Sequence, residues 1–224
     1  MENRWFTSDE HYGHKSVIAF CNRPFSNTLE MREELIKRHN EIVNKGDLVF
    51  HLGDMFWYST PTPEALGIVS RLKGQHFYIL GNHEEALERS PELRSRFTWV
   101  KERVTLHRPN GYPNIVLDHY AGRVWNGSHK GSWQLYGHSH NQLSKSAAGQ
   151  TAEESPLSMD VGVDTHNYYP YHIDEINKLF QIKKDQWKTI THRCPACNRT
   201  FTSGNTNLRV CVDCGSTMMV ETSN

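Results

Sequence analysis

Short apolar runs alternate with amphipathic stretches along this chain, and each apolar run stops at a cluster of polar residues. Arg4 to Ser8 (RWFTS) has the aromatic and β-branched content of a half-buried strand and ends at Asp9. From Asn27, a capping residue with Glu30 three positions on, apolar side chains recur near helical spacing at Leu29, Leu35, Ile36, Ile42 and Val43, up to Lys45-Gly46. Asp47 to His51 (DLVFH) predicts a second strand that opens onto Leu52-Gly53-Asp54. A second helix is expected from Thr62 or Pro63 through Leu72, closed by Lys73-Gly74. A third strand, His76 to Leu80 (HFYIL), runs into Gly81-Asn82-His83-Glu84. Such alternation predicts βα units and a mainly parallel sheet, with ligands bound outside the carboxyl ends of the strands.

After Arg96 the pattern shifts toward strands: Phe97 to Leu106, Asn114 to Asp118, Ser132 to Tyr136 and Leu157 to Val163, separated by Gly, Asn and Pro turns. A second, more antiparallel sheet is expected there. Ser144 to Ser155 (SKSAAGQTAEES) reads as an exposed loop, Ile173 to Phe180 as a last short helix, and Gln181 to His192 as a charged connector to a cysteine-bearing tail. The domain organisation read from this is a main domain over residues 1–190 and a small module over 191–224.

Composition narrows the class. Lys+Arg and Asp+Glu both number 25, so no net basic field marks a dedicated nucleic-acid binder, although a local basic groove is not excluded. No apolar run approaches the roughly 18 residues of a membrane span, and the opening MENRWFTSDEH lacks the pattern of an export signal, so a cytoplasmic location is expected. Four of the five cysteines form two Cys-x-x-Cys pairs, Cys194/Cys197 and Cys211/Cys214, which have the spacing of a structural zinc ribbon with four thiolate ligands. So short a segment would depend on the metal to fold. It would serve either as a nucleic-acid or protein contact, with Arg193, Arg199 and Arg209 in reach, or as a cap without a ligand. Cys21 stands apart and is expected to be a buried thiol.

Fourteen histidines shift attention to metal chemistry, because several lie beside Asp or Asn at the expected strand ends. Asp, Asn and His suit Mn, Fe, Zn, Ni or Co, and two such ions about 3.5–4 Å apart form the clamp used for in-line displacement at phosphorus. A carboxylate shared between the ions would lower their mutual repulsion.

In order along the chain come Asp9-x-His11, Gly53-Asp54, Gly81-Asn82-His83-Glu84, His119 after the run IVLD, and Gly137-His138-Ser139-His140. From Arg4 to about Glu175 this series resembles the calcineurin-like metallophosphoesterases, and the opening TSDEHYGHKSVIAFCNRPF is similar to a branch of small phosphoesterases. The resemblance implies an α/β, four-layer αββα sandwich of two mixed sheets, and a dinuclear metal-dependent phosphoesterase acting on phosphodiesters or phosphomonoesters through a metal-bridging hydroxide. It implies one ion at Asp9, His11 and His140, a second at Asn82, His119 and His138, and Asp54 bridging both, with Mn the first choice of metal. His83 would act as acid or charge stabiliser, with Glu84 orienting it.

Other residues keep two readings. His14 would contact substrate phosphate or cap the segment that follows, and Arg23 would clamp phosphate or form a structural ion pair. Asp118 would accept from a ligand imidazole or simply end its strand. His119 is preferred to His129 as ligand on the strand-end criterion. His39, His51, His76, His107, His166, His172 and His192 are read as core or surface histidines. An extended segment at YGHSH would point His138 and His140 to one side. One departure from the family pattern stands out, since His119-Tyr120-Ala121-Gly122 lacks the proline often found there. Nucleotides are the first substrate class; a nuclease and a non-catalytic binding module that keeps the fold are the alternatives.

Overall fold

A computed structural model describes residues 2–143, 155–186, 190–193, 196–197, 200–203, 214 and 219–220. The chain divides into two compact units, Met1–Lys178 and Leu179–Asn224. In chain order the elements begin β1 (Arg4–Thr7), α1 (Lys15–Phe20), α2 (Thr28–Ile42), β2 (Leu48–His51), α3 (Thr62–Arg71), β3 (Gln75–Ile79), α4 (Glu85–Arg89), α5 (Pro91–Arg94) and β4 (Val100–Lys101). They continue β5 (Arg103–Leu106), β6 (Ile115–Asp118), β7 (Trp133–Tyr136), β8 (Ser158–Asp160), β9 (Tyr171–His172) and α6 (Ile173–Gln186). Three short strands follow: β10 (Ile190–Arg193), β11 (Thr200–Ser203) and β12 (Met219–Val220).

Two mixed sheets with helices form the first unit, an α/β fold. The first sheet has the order β4-β3-β2-β1-β9; its first four strands are parallel and β9 runs antiparallel to β1. Register places Phe6, Phe50 and Phe77 side by side on one face, with ring centroids 5.2 and 4.8 Å apart. On the other face, Tyr78 packs with Met31, Leu35 and Ile36 of α2, Ala65 and Ile68 of α3, and Leu87 and Leu93 of the short helices. This sheet is therefore covered on both sides, as the unbroken apolar runs of its strands require. Asn27 caps α2 by accepting from the amides of Leu29 and Glu30, both at 2.9 Å.

The apolar stretch expected as one strand over residues 97–106 serves both sheets: Glu102 interrupts it, β4 pairs with β3, and β5 pairs with β6. The second sheet has the order β5-β6-β7-β8. Only β5–β6 is antiparallel, whereas β6, β7 and β8 run parallel, so the expected antiparallel bias is not found. The β6–β7 and β7–β8 connections are long enough for crossovers, which parallel pairing needs. As a result β6, β7 and β8 end where β1, β2 and β3 end. Ser8 and Gly162 pair in parallel across the two sheets, and the Val163 amide donates to the Ser8 carbonyl at 3.0 Å.

In the second unit β10 pairs antiparallel with β11 and β12. Where a charged connector was expected, α6 continues to Gln186 and β10 begins at Ile190. The loop expected at residues 144–155 lies outside the described residues except for Ser155, as do Cys194 and Cys211 of the expected zinc ribbon. Among the described residues no helix is long and apolar enough to cross a membrane.

Candidate metal centre

Beyond the ends of β1 and β2 the two loops stay paired: the Asp9 amide donates to Gly53 O at 3.1 Å and the His11 amide to Asp54 O at 3.0 Å. Asp9, His11, Asp54, His138 and His140 all adopt left-handed backbone, with φ of 59°, 53°, 55°, 64° and 45°. Non-glycine residues meet a steric cost there, and such conformations gather at functional sites. Left-handed turns therefore aim these side chains, and His138 and His140 share a side without the segment being extended.

The side chains fall into two groups whose ligand atoms lie within 4.8 Å of one another: Asp9, His11 and His140, and Asp54, His119 and His138. In the first, Asp9 Oδ1 stands 3.8 Å from His11 Nε2 and 3.9 Å from His140 Nε2. That oxygen is buried without a hydrogen-bond partner, while Oδ2 accepts from the His138 amide at 2.9 Å. In the second, His119 Nδ1 donates to Leu52 O at 2.7 Å, which leaves Nε2 as a bare acceptor. Nε2 faces Asn82 Oδ1 at 3.1 Å and Asp54 Oδ2 at 3.6 Å. Three acceptors converging on one point repel one another unless a cation lies among them.

Asp54 connects the groups. Its Oδ1 accepts from the amides of Asn82 and His83, both at 2.9 Å, while Oδ2 lies 3.6 Å from His119 Nε2 and 3.8 Å from His11 Nε2. One carboxylate oxygen thus faces both clusters. Burial and neighbouring charge shift several of these groups, and not all in one direction. Burial pushes Asp9 well above the carboxylate range, opposed by His140 and reinforced by Asp160 and Asp54. Burial and neighbouring positive charge depress His11, and burial with His119 lowers His138. Imidazole, carboxylate and amide oxygen are the donors that borderline divalent ions take, so the residues present fit two such ions.

His14 and His83 lie beside the first group. The His14 ring stacks on Trp57 with centroids 3.5 Å apart and sits 5.2 Å from His11. The His83 ring is 5.7 Å from His11 and 4.8 Å from Trp57. Burial, then the charges of His83 and Arg23, bring the His14 pKa to about 4.

Glu84 does not hydrogen-bond His83. Its Oε1 accepts from the amides of Gly81 (2.6 Å) and Asp54 (3.1 Å) and from the Tyr78 hydroxyl (3.2 Å), so it fastens the turn carrying Asn82 to the turn carrying Asp54. Burial pushes its pKa to about 7. Arg23 is buried: Nε and Nη2 bind Asp164 at 2.8 and 2.7 Å, and Nη2 and Nη1 reach the carbonyls of Asp9 and Glu10 at 2.8 and 2.9 Å. Its donors serve an internal ion pair rather than an open phosphate. Asp118 binds Arg103 and the Tyr120 amide, so the acceptor for His119 is the Leu52 carbonyl instead. His129 lies in a turn lining a separate cavity with Arg108 and Lys130.

Three contributors, Asp164, Asp160 and Ser8, went unnoticed in the sequence, and a fourth, Cys21, was expected to be a buried thiol. His140 Nδ1 lies 2.7 Å from Asp164 Oδ2, and Cys21, only partly buried, forms a cluster with both. Although burial works against the charged form, Asp164, Cys21 and Asp9 lift the His140 pKa to about 10. Asp160 Oδ2 accepts from Ser139 Oγ at 2.5 Å and the Asn141 amide at 3.0 Å, shaping the turn between the two histidines. Ser8 donates to Leu52 O at 2.8 Å. Asp160-x-Gly-x-Asp164 stands at the end of the run Leu157 to Val163, where the strand-end criterion would have found it.

Residues 3–196 match the family model described as calcineurin-like phosphoesterase. An uncharacterized protein of Methanocaldococcus jannaschii, MJ1445, is 32% identical over 191 residues, covering 82% of this chain and 94% of its own. The gene 66 protein of Mycobacterium phage D29 is 29% identical over 202 residues, covering 80% and 96%. Among solved structures, a protein of unknown function from Aquifex aeolicus, AQ665, superposes with a TM-score of 0.61 at 20% identity, covering 80% of this chain and all of its own. That last likeness concerns the fold alone.

Proposed function

This chain belongs to the calcineurin-like phosphoesterase family, and from that footing we propose that it is a dinuclear metal-dependent phosphoesterase hydrolysing phosphodiester or phosphomonoester bonds, with nucleotides as its substrate class. The observation that carries the reading is Asp54 Oδ2, which faces His119 and His11 at 3.6 and 3.8 Å and so touches both ligand groups at once. Asp9, His11 and His140 would hold one ion, Asn82, His119 and His138 the other, and Asp54 both. Divalent ions there supply Lewis acidity toward phosphoryl oxygens and lower the pKa of water toward neutrality. The donor set suits Mn first, with Fe, Zn, Ni or Co as alternatives.

His83 is the residue assigned to the leaving group. Its amide is anchored on Asp54 Oδ1 and its partly exposed ring lies beside His11, so it can hand a proton to an oxygen departing from phosphorus. His14, stacked on Trp57, is assigned to orient the phosphoryl group from the same side. Glu84 and Arg23 act at one remove, by holding the turns that carry the ligands. The tail is assigned as a zinc ribbon with one structural Zn on Cys194, Cys197, Cys211 and Cys214, as a module separate from the catalytic domain.

The test is hydrolysis of a chromogenic phosphodiester and a phosphomonoester with Mn²⁺. Asp54→Asn should abolish turnover and uncouple or release the ions, and His83→Ala should lower kcat roughly 10²- to 10⁴-fold with both ions kept. Absence of metal-dependent turnover in the wild type would favour a binding module. Removal of residues 191–224 should take away one Zn and leave small-substrate turnover, and any binding of single-stranded DNA or RNA should be lost with it.

A further inference from the structure

Beside the second ligand group opens a cavity of about 570 Å³, lined by Leu80, Gly81, Glu102, Arg103, Asp118 and Tyr120. Its size falls within the roughly 300–1,000 Å³ of small-molecule sites. Two of its walls belong to the candidate centre: Gly81 directly precedes Asn82, and the Tyr120 ring lies 4.9 Å from both His119 and His138, edge-on at 79° and 65°.

Tyr120 is 47% exposed, yet its backbone is fixed from two sides. Its amide donates to Asp118 Oδ1 at 3.1 Å and its carbonyl accepts from the buried Gln134 Nε2 at 3.2 Å. Asp118 is held in turn by Arg103. The ring, packed edge-on against His119 and His138, is an aromatic surface half open to solvent at the edge of a polar centre. Its hydroxyl makes no hydrogen bond among the described residues. Leu80 adds apolar surface to the same cavity, while Glu102 and Arg103 are exposed and offer an acceptor and donors. A flat aromatic face with polar groups around it suits a nucleobase, which stacks on a ring and hydrogen-bonds at its edge.

We propose that this cavity is the nucleoside subsite of the phosphoesterase, with the base stacked on Tyr120 while the phosphate lies between the two ligand groups. The inference rests on the phosphoesterase reading and assigns Tyr120 as the residue that makes the enzyme prefer nucleotides to other phosphate esters. The ring is close enough to His119 and His138 for base and phosphate to belong to one nucleotide.

Calorimetric titration of the Mn-loaded full chain tests it, with the four ribonucleoside 5′-monophosphates, ribose 5-phosphate and inorganic phosphate as probes. At least one nucleotide should bind roughly tenfold or more tightly than ribose 5-phosphate, from which it differs only by the base. Tyr120→Phe and Tyr120→Trp should keep that ratio, and Tyr120→Leu should bring it close to one; reading a ratio within each variant cancels any general loss of affinity. A wild type that binds all four nucleotides no better than ribose 5-phosphate overturns the proposal, as does a preference that survives Tyr120→Leu. If the loaded wild type neither binds phosphate nor hydrolyses chromogenic esters, the phosphoesterase reading has failed and the subsite falls with it.

Discussion

Replacing Asp164 by Ala should damage stability and metal binding by separable routes. The Arg23 side chain has no solvent exposure and that of Asp164 only 6%, and they are joined by bonds of 2.8 and 2.7 Å. Removing one member of a buried pair leaves an uncompensated charge, at about 3–5 kcal/mol. That is a large share of the roughly 5–15 kcal/mol that holds a domain together. Urea unfolding of metal-free protein isolates this cost. The double variant Arg23→Met/Asp164→Leu should recover the part of the stability lost to the unpaired charge, because well-packed apolar replacements of a buried pair are often neutral, but not the part that Arg23 contributes through the carbonyls of Asp9 and Glu10. It should not recover metal affinity, since His140 Nδ1 loses the carboxylate at 2.7 Å that sets its tautomer and ring direction. Loss of such a partner typically weakens a site about 10- to 100-fold. A cost below about 1 kcal/mol for Asp164→Ala would show that breaking the pair carries no buried-charge penalty, and wild-type Mn²⁺ affinity in the double variant would show that Asp164 does not position His140.

Two further predictions concern acid stability and the close approach at Gly137. Burial, partly offset by the bond to Lys73 O, holds the His39 pKa at about 4; burial with His51 and His39 holds His76 at about 3. Both are neutral in the fold and bind protons more readily once unfolded, so stability is full above about pH 6.5 and falls as pH drops toward 4. His39 alone accounts for about 3 kcal/mol of that loss, and His39→Gln should flatten the acid limb of a denaturation series; an unchanged limb would count against it. At Gly137 an added Cβ would meet Asp9 Oδ2 at 2.5 Å and Ser8 Cβ at 2.8 Å. Gly137→Ala should therefore cost about 1–3 kcal/mol and weaken Mn²⁺ binding, and a variant with wild-type melting and titration curves would show the close approach to be unimportant.

Strand ends were the legible part of this molecule, because apolar runs that stop at Asp9, Asp54, Asn82 and His119 mark the sheet and the site together. The spacing of the histidines did not by itself divide them; in the fold His140 lies with Asp9 and His11, and His138 with Asp54 and His119. How the backbone achieves this was not legible either, because left-handed φ at aspartate and histidine leaves no periodicity in a sequence. Gly137 is required by the nearness of Ser8 and Asp9, a contact between residues far apart in the chain, rather than by a turn. The same holds for Arg23, whose partner Asp164 lies 141 positions away, and for Glu84, which serves the turns of Asp54 and Gly81 rather than its neighbour His83. Strand direction in the second sheet depended on crossover loops whose composition resembles that of hairpin turns. The stretch over residues 97–106 looked continuous because its apolar content does not record a change of partner at Glu102.

Two divalent ions joined through Asp54 would be visible in electron paramagnetic resonance of the Mn-loaded full chain. Two Mn per chain with a spin-coupled signal is the predicted result, and Asp54→Asn should replace it with an uncoupled signal or with loss of metal. A single Mn per chain, or two uncoupled ions unaffected by Asp54→Asn, would rule out a carboxylate shared between two ions.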